Sequence, residues 1–274
     1  MAAEVLRYAA FTDDPAGGNP AGVVLDAAGM SDDEMLAVAA DVGFSETAFV
    51  TGGGAGAAAR EFELRYFSPS KEIDFCGHAT IATAVAMGAD GALVFNTRAG
   101  EVRMQAGGGR ATLTSVEPST TALEAADLDE LLAILRWSPD DLHPNLPPRV
   151  AYAGVHHPVI AAVSRTRLRE VDYDFRRLRG LMLARDWTTV QLIHRESDVL
   201  FHARAPFPPG GVVEDPATGA AAAAFGGYLR ELGLIEPPAD FTIVQGEDMG
   251  RRSVLSVHVP ATGGIEVSGT AVPL

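Results

Sequence analysis

The sequence of 274 residues contains a single cysteine, Cys76, and lacks the common metal-binding motifs. One thiol cannot form a disulfide within the chain, and it cannot build a structural zinc site from several cysteines. The HExxH pattern and a facial cluster of carboxylates are both missing. His156 and His157 are adjacent, so on a strand their side chains point to opposite faces. The sequence therefore predicts no metal site.

Basic residues are few as well: 21 Lys and Arg stand against 36 Asp and Glu, which gives a formal net charge of −15. Nucleic acids and anionic membrane surfaces do not attract such an acidic protein. A small anionic ligand is not excluded, because ordered backbone N–H groups can bind one on an acidic protein. No apolar run reaches membrane-spanning length, and the first residues lack the basic and apolar regions of a signal peptide. We therefore expect a cytoplasmic protein that binds neither nucleic acid nor membrane.

The hydrophobic content of 47% is sufficient for a large core, in one large domain or two of ordinary size. The order strand, loop, helix, strand, glycine turn, helix and further strands occurs once from about residue 5 and again from about residue 150. This order predicts an α+β protein with two similar halves, 1–118 and 119–274, each with a mixed sheet. The last strand, about 265–274, can return to the N-terminal half.

Local patterns set several element boundaries. Ser31 and Glu34 form a capping box, which predicts a helix that ends near Gly43. The loop rich in Gly and Pro before residue 23 predicts that the second strand covers only 23–25. The segment 120–146 is predicted to be helical at first and then irregular, where prolines accumulate.

Two glycine turns carry most of the polar residues that could bind a ligand. They are DFCGHATIATA, residues 74–84, and EDPATGAAAAAFGGYL, residues 214–229. Each runs into an alanine-rich helix, and the free N–H groups at a helix start favour an anion. Two such turns suggest a duplicated scaffold with one small-molecule site between the halves.

Glu46 is the first candidate for a catalytic residue. The period of two places it on one strand face with Phe44, Ala48 and Val50. Burial would raise the pKa of such a carboxyl group and suit it to general acid/base chemistry near neutral pH. Alternatively, Glu46 is solvated at the end of the strand or pairs with Arg65. The sequence alone does not decide between these interpretations.

His78 and Asp215 lie at the two turns. His78 could orient a carboxylate, donate to a substrate oxygen or move a proton, or it could simply cap or pack the helix. The following Pro216 keeps Asp215 extended, so Asp215 could orient a substrate group, or it could cap the second helix. The N–H groups of Gly219 and Ala220 would then face a carboxylate.

Cys76 offers a different mechanism. A thiol near a helix N-terminus has a lowered pKa and can act as a base or a nucleophile. A racemase with two thiol bases would need a second cysteine at the other turn, and residues 214–220 contain none. We therefore interpret Cys76 mainly as a small packing residue.

Five further sequence segments stand out: GNPAGVVL from Gly18, the FSETAFV strand with Glu46, FCGHATIATA, EDPATGAAAA and QGEDMGR from Gln245. Together they resemble the PhzF-like family of phenazine-biosynthesis-type isomerases. These segments are spread along nearly the whole chain and occur in the same order as in the family. The resemblance implies pseudo-symmetric halves, each a sheet wrapped around a central helix, as in diaminopimelate epimerase. It also implies a cleft site, no metal, no organic cofactor and a homodimer.

Carried over to this sequence, the resemblance implies that Glu46 is the general acid/base and that His78 and Asp215 are its polar partners. Gly77, Gly219, Ala220 and Asn19 are implied to bind a small carboxylate substrate. In the best-known member, one carboxylic residue removes a proton from carbon and returns it elsewhere on the same face of a dihydro-hydroxyanthranilic acid.

This sequence differs from the family pattern at Ala220, where serine is common. The missing hydroxyl removes one polar contact, worth about 0.5–1.5 kcal/mol. The chemistry could therefore survive with a different substrate. Two alternatives stay open: a thiol-assisted amino-acid racemase or epimerase that uses Cys76, and a non-catalytic binding protein on the same fold.

Overall fold

The structure is a computed structural model that describes residues 3–54 and 60–274. The chain divides into two compact units. The first takes in the chain up to Thr114 together with Ser268–Leu274, and the second is Ser115–Val267. In the described ranges, no helix combines the length and apolar character that crossing a membrane requires.

Helices are interspersed among the strands along both units. In chain order they are β1 Leu6–Ala10, β2 Asn19–Val24, α1 Asp32–Val42, β3 Glu46–Gly53, β4 Glu61–Phe67, β5 Glu72–Ile73, α2 Gly77–Ala86, β6 Gly91–Thr97, β7 Gly100–Gly107, β8 Arg110–Thr114, β9 Ser119–Ala122, α3 Ala125–Leu135, β10 Arg149–Tyr152, β11 His156–Ala161, α4 Arg165–Arg169, α5 Phe175–Arg185, β12 Gln191–Arg195, β13 Leu200–Arg204, α6 Gly219–Glu231, β14 Ala239–Gln245, β15 Ser253–Val259 and β16 Glu266–Pro273.

The first unit is a closed sheet wrapped around α2. Its strand order is β1-β2-β3-β4-β6-β7-β8-β16, and antiparallel pairing of β16 with β1 closes the ring. Helix α2 is composed largely of Ala, Thr and Ile, and seven consecutive residues from His78 to Ala84 are buried inside the sheet. Small side chains let the surrounding strands approach the helix closely, which explains its alanine-rich sequence.

Helix α1 covers the outer face of the same sheet. Met35 and Ala39 of this helix pack with Val24 of β2 and Phe49 of β3. Alternate residues of β2 and β3 therefore face inward toward α2, and Glu46 is one of them because it lies three residues before Phe49.

The second unit repeats this plan with a sheet in the order β15-β14-β13-β12-β11-β10-β9. Helix α6 packs against β9, β10, β11 and β15. Helices α3 and α5 cover the opposite face, where Leu131 and Leu178 pack with Ile160 of β11 and Leu192 of β12. The predicted fold class is confirmed: this is an α+β protein with two pseudo-symmetric halves, each a mixed sheet around a central helix.

The capping box predicted for α1 is confirmed, because Ser31 and Glu34 bond reciprocally and the helix ends at Gly43 in a left-handed conformation. Two boundary predictions are wrong. Strand β2 begins at Asn19, because β1 pairs with the Gly- and Pro-rich segment as well. Residues 119–122 form a strand rather than a helix, because they pair antiparallel with β10.

Candidate functional site

The candidate site of the first unit lies where α2 begins. Cys76 is the N-cap residue in an extended conformation, and its side chain makes no capping hydrogen bond in the described structure. The first helical residues are Gly77 and His78, so the sequence provides a helix start without an acidic side chain in its first turn. The unsatisfied N–H groups and the positive end of the helix dipole favour an anionic group here.

Glu46, His78 and Asn19 come together at this helix start, although they are far apart in sequence. His78 Nε2 lies 3.4 Å from Glu46 Oε2, and its Nδ1 lies 3.1 Å from Asn19 Nδ2. Asn19 and Glu46 are the first residues of β2 and β3, and both face inward because β2 and β3 run parallel with Ala21 opposite Glu46. The side chain of Glu46 is 12% exposed and that of His78 is 6% exposed.

The contacts of His78 define its protonation state. Burial lowers the pKa of the imidazole, whereas the nearby carboxylate of Glu46 opposes that shift. A neutral imidazole that accepts from Asn19 at Nδ1 carries its proton on Nε2. Nε2 lies 3.4 Å from the carboxylate of Glu46, so the ring and the carboxylate are close enough to interact.

Glu46 does not pair with Arg65. Arg65 Nη1 contacts Asp32 at 2.8 Å, and Arg65 Nε contacts Glu72 at 2.7 Å. Glu46 is largely buried at the start of β3, so the interpretation of a solvated strand end is also wrong. Its side chain, 12% exposed, lies beside a histidine whose pKa is lowered by burial.

Cys76 completes a small group of possible ligands. Its Sγ lies 3.3 Å from Nδ1 and 3.8 Å from Nε2 of His78. One ligand atom each from Glu46, Cys76 and His78 lies within 4.8 Å of the others, so this trio could hold a metal ion. A local sequence motif could not indicate this group, because Glu46 is on β3 whereas Cys76 and His78 lie at the start of α2.

The second unit places Asp215 in a turn that is held on several sides. Thr218 Oγ1 donates to Asp215 Oδ2 at 2.6 Å, and Gln245 Nε2 donates to the Asp215 carbonyl at 2.7 Å. The N–H of Asp215 donates to the carbonyl of Ala205 at 2.9 Å. Asp215 is 8% exposed, and α6 begins at Gly219 directly after Thr218.

Gln245 was not predicted as a site residue. Its side chain is fully buried, and it bonds both to the Asp215 carbonyl and to Thr218 Oγ1. Gly246 follows in a left-handed conformation with φ +75°, and a Cβ there would lie 2.8 Å from the Pro216 carbonyl. Gln245 and Gly246 begin the QGEDMGR segment of the sequence, and in the structure both lie against the Asp215 turn.

A buried ion pair supports the same turn from its other end. Arg204 contacts both carboxylate oxygens of Glu214 at distances between 2.5 and 3.1 Å. Glu214 directly precedes Asp215, and this pairing leaves neither buried charge alone. The pair therefore helps fix the backbone from which Asp215 projects.

Two surface pockets of the second unit lie elsewhere. One of about 260 Å³ includes Arg195 and Phe241, and one of about 340 Å³ includes Asp127 and Arg185. Neither is lined by a residue that the sequence predicted for the site. In the second pocket, Arg185 and Asp127 already form a bidentate ion pair, so their charges are matched without a ligand.

Comparison with known proteins identifies relatives over nearly the full length of the chain. A family model described as "Phenazine biosynthesis-like protein" (PhzC-PhzF) matches residues 8–274. An uncharacterized isomerase of Bacillus subtilis (strain 168), YfhB, is 31% identical over 288 residues, which cover 98% of this chain and 96% of that one. An uncharacterized isomerase of Deinococcus radiodurans is 32% identical over 290 residues, which cover 98% and 93%.

A solved structure of the Bacillus anthracis phenazine biosynthesis protein of the PhzF family superposes with a TM-score of 0.87 at 25% identity, covering 98% of this chain and 96% of that chain. The family match, the two relatives and this structure agree over the same residues. The chain belongs to the phenazine biosynthesis-like family, and it is an isomerase.

Proposed function

We propose that this isomerase moves a proton within a small carboxylate-bearing substrate, and that Glu46 carries the proton. The observation that supports this most directly is the inward-facing carboxylate of Glu46, 12% exposed and 3.4 Å from a neutral imidazole at a helix start. The proposed reaction needs no metal and no organic cofactor, because the same carboxyl group accepts and returns the proton.

The chemical step follows from this placement. The carboxylate of Glu46 takes a proton from a carbon of the substrate, and the electron pair left on that carbon delocalises into the adjacent unsaturated or carboxyl group. The protonated Glu46 then returns the proton, either to another carbon on the same face or to the original carbon after the substrate reorients. We assign His78 to position this carboxylate, because its Nε2 lies 3.4 Å from Glu46 Oε2, while its Nδ1 lies 3.1 Å from Asn19 Nδ2.

The substrate carboxylate needs its own binding groups. We assign this role to the N–H group of Gly77, since α2 begins without an acidic residue in its first turn. In the second unit, the N–H groups of Gly219 and Ala220 are assigned to bind an anionic group in the same way, since α6 also begins without an acidic residue. Asp215, held by Thr218 and Gln245, is assigned to a polar group of the substrate. The expected homodimer can be tested by sedimentation equilibrium.

The test is incorporation of deuterium from D2O into a panel of small acids, including dihydro-3-hydroxyanthranilic acid, L-proline and L-glutamate. Glu46→Gln keeps the shape of the side chain but cannot accept a proton at neutral pH, so exchange should fall about 10²–10⁴-fold. Glu63→Gln changes an exposed strand glutamate and serves as the matched control. Exchange by Glu46→Gln at the wild-type rate would refute the assignment.

The contact of 3.3 Å between Cys76 Sγ and His78 Nδ1 supports a second candidate, in which the thiol is a base. Iodoacetamide and Cys76→Ala distinguish the two. A glutamate shuttle predicts that Cys76→Ala keeps exchange within tenfold of wild type. A thiol base predicts loss of exchange together with protection from alkylation by the exchanging acid.

A further inference from the structure

A chain of buried hydrogen bonds in the first unit ends at the residue that precedes α2. Thr80 Oγ1 donates to the carbonyl of Cys76 at 2.6 Å, and Tyr66 Oη lies 2.6 Å from Thr80 Oγ1. Tyr66 and Thr80 are fully buried, and Cys76 is the N-cap residue of α2. The two hydroxyl groups therefore connect the interior of the sheet to the start of the helix.

The direction of these hydrogen bonds follows from the number of protons available. A hydroxyl group has one proton, and Thr80 gives its proton to the carbonyl of Cys76. Tyr66 is therefore the donor in its bond with Thr80 Oγ1. Burial raises the pKa of Tyr66, so its hydroxyl keeps the proton that this bond requires. The chain runs in one direction, from Tyr66 through Thr80 to the carbonyl of Cys76.

Tyr66 contacts the chain on both sides of the start of α2. Its ring meets the ring of Phe75 edge-on, with the ring centroids 6.0 Å apart, and its hydroxyl reaches Thr80. Phe75 comes directly before Cys76, whereas Thr80 is the fourth residue of the helix. One side chain of β4 thus holds the segment between these two contacts, which carries His78.

The carbonyl of Cys76 and the N–H of Gly77 belong to the same peptide group. Resonance couples them, so hydrogen bonds accepted by the carbonyl make the N–H a stronger donor. This carbonyl accepts two bonds, from the hydroxyl and the N–H of Thr80 at 2.6 and 3.0 Å. The N–H of Gly77 has no acceptor among the described residues, and Gly77 is only half-buried. A strengthened donor is therefore available to a ligand at this position.

A strong donor matters here because the site already contains the carboxylate of Glu46. His78, the neighbour of Gly77, lies 3.4 Å from that carboxylate. Like charges repel, and partial burial reduces the screening by water. The sequence of α2, GHATIATAVA, contains no Lys or Arg that could neutralise a second carboxylate. Binding of a substrate carboxylate at Gly77 therefore depends on the strength of backbone N–H donors.

We infer that Tyr66 and Thr80 are positioning residues that set how strongly the N–H of Gly77 binds a carboxylate. This inference rests on the proposed function, in which Gly77 binds the substrate carboxylate, and it adds two residues to that role. Both are fully buried, so they act on the ligand only through the carbonyl of Cys76. Removal of either hydroxyl should weaken carboxylate binding while Glu46 stays in place.

The helix offers a matched control for these substitutions. Thr80→Val keeps the shape of the side chain and removes the hydroxyl, whereas Thr80→Ser keeps the hydroxyl. Thr83 is also fully buried on α2, and its Oγ1 donates at 2.7 Å to the carbonyl of Ala79, inside the helix and away from Cys76. Thr83→Val is therefore the control. Because Thr80→Val leaves the buried hydroxyl of Tyr66 without its acceptor, the double variant Tyr66→Phe/Thr80→Val removes both hydroxyls and should be more stable than Thr80→Val.

The first experiment records amide ¹H–¹⁵N spectra and follows the nitrogen of Gly77, which shares its peptide group with the carbonyl of Cys76. Thr80→Val and the double variant should move this resonance upfield, and Tyr66→Phe should move it in the same direction by a smaller amount. Thr80→Ser should keep it near its wild-type position. Thr83→Val should move the nitrogen of Thr80 instead. A Gly77 resonance that Thr80→Val leaves unmoved, or that Thr83→Val moves equally, would overturn the inference.

The second experiment titrates sodium formate, the smallest carboxylate, into the same labelled proteins, with sodium chloride at equal ionic strength as the reference. Formate should move the amide proton of Gly77 downfield, and its Kd should be about two- to threefold higher for Thr80→Val and the double variant than for wild type and Thr83→Val. Equal Kd values would overturn the inference and leave the assignment of Gly77 standing. A Gly77 amide that formate does not move in wild type would overturn both.

Neither measurement requires turnover, so both are independent of the Glu46→Gln exchange test. Failure of that test would refute the proton carrier alone, whereas failure of the spectra or of the formate titration would refute the positioning role of Tyr66 and Thr80.

Discussion

The buried ion pair between Arg204 and Glu214 gives a quantitative prediction about the Asp215 turn. Their side chains are 12% and 5% exposed, and three N–O distances lie between 2.5 and 3.1 Å. Truncating one partner leaves the other charge buried and unpaired, which costs about 3–5 kcal/mol. We expect Arg204→Met and Glu214→Leu each to lose this amount of unfolding free energy, which corresponds to a decrease in Tm of about 10 °C.

The double variant separates the pair from its surroundings. Replacing both charges with apolar groups removes the unpaired ion, so the double variant should be less destabilised than either single variant. The exposed pair Arg103–Glu101 is the control, because its side chains are 79% and 49% exposed. An exposed pair contributes about 0–1 kcal/mol.

Urea denaturation followed by circular dichroism measures these differences, provided that the m-value is unchanged. Two results would refute the reasoning. One is a loss below about 1 kcal/mol for both single variants, which would place the pair in the range of exposed pairs. The other is a double variant whose loss equals the sum of the two single losses.

Three further predictions concern pH, metal binding and a helix cap. The pKa of His157 is about 3 in the folded protein against 6.5 when unfolded, so the unfolded state binds more protons as pH falls below 6.5. This difference should lower the unfolding free energy by about 2 kcal/mol from pH 7 to pH 5. In urea titrations at both pH values, His157→Gln should remove this part of the pH dependence. Zn²⁺ should slow deuterium exchange, and EDTA should restore the rate. Cys76→Ala should weaken the inhibition, because Cys76 belongs to the trio of ligand atoms within 4.8 Å. Equal inhibition of wild type and Cys76→Ala would contradict this. Ser31→Ala should lower the unfolding free energy by about 0.5–2 kcal/mol, measured by the same denaturation, since it removes the N-cap of α1.

The two units differ at equivalent positions although the fold is duplicated. Equivalent strand positions hold Glu46 in the first unit and Gln191 in the second, and equivalent helix positions hold His78 and Ala220. A carboxylate can exchange a proton near neutral pH, whereas a carboxamide cannot. Of these two equivalent positions, the one in the first unit holds a group that can exchange a proton.

Local chemistry in the sequence was sufficient for several features. The reciprocal bonds of Ser31 and Glu34 involve only neighbouring residues, so the start of α1 was predictable. The inward face of Glu46 followed from strand periodicity, and the helix starts at the two glycine turns followed from the turn residues and the alanine runs that come after them. The α+β class and the duplication followed from the order of these elements.

Only the tertiary structure decided which residues meet. Residues 119–122 form a strand because β10 supplies their hydrogen bonds, and β2 extends back to Asn19 because β1 lies beside it. Glu46 contacts His78 rather than Arg65, since Arg65 lies opposite Phe49 on the outer face of the sheet whereas Glu46 faces inward. Hydrogen bonds and charge pairs between distant segments depend on strand register, which no local pattern contains, whereas caps, turns and strand faces are set by adjacent residues.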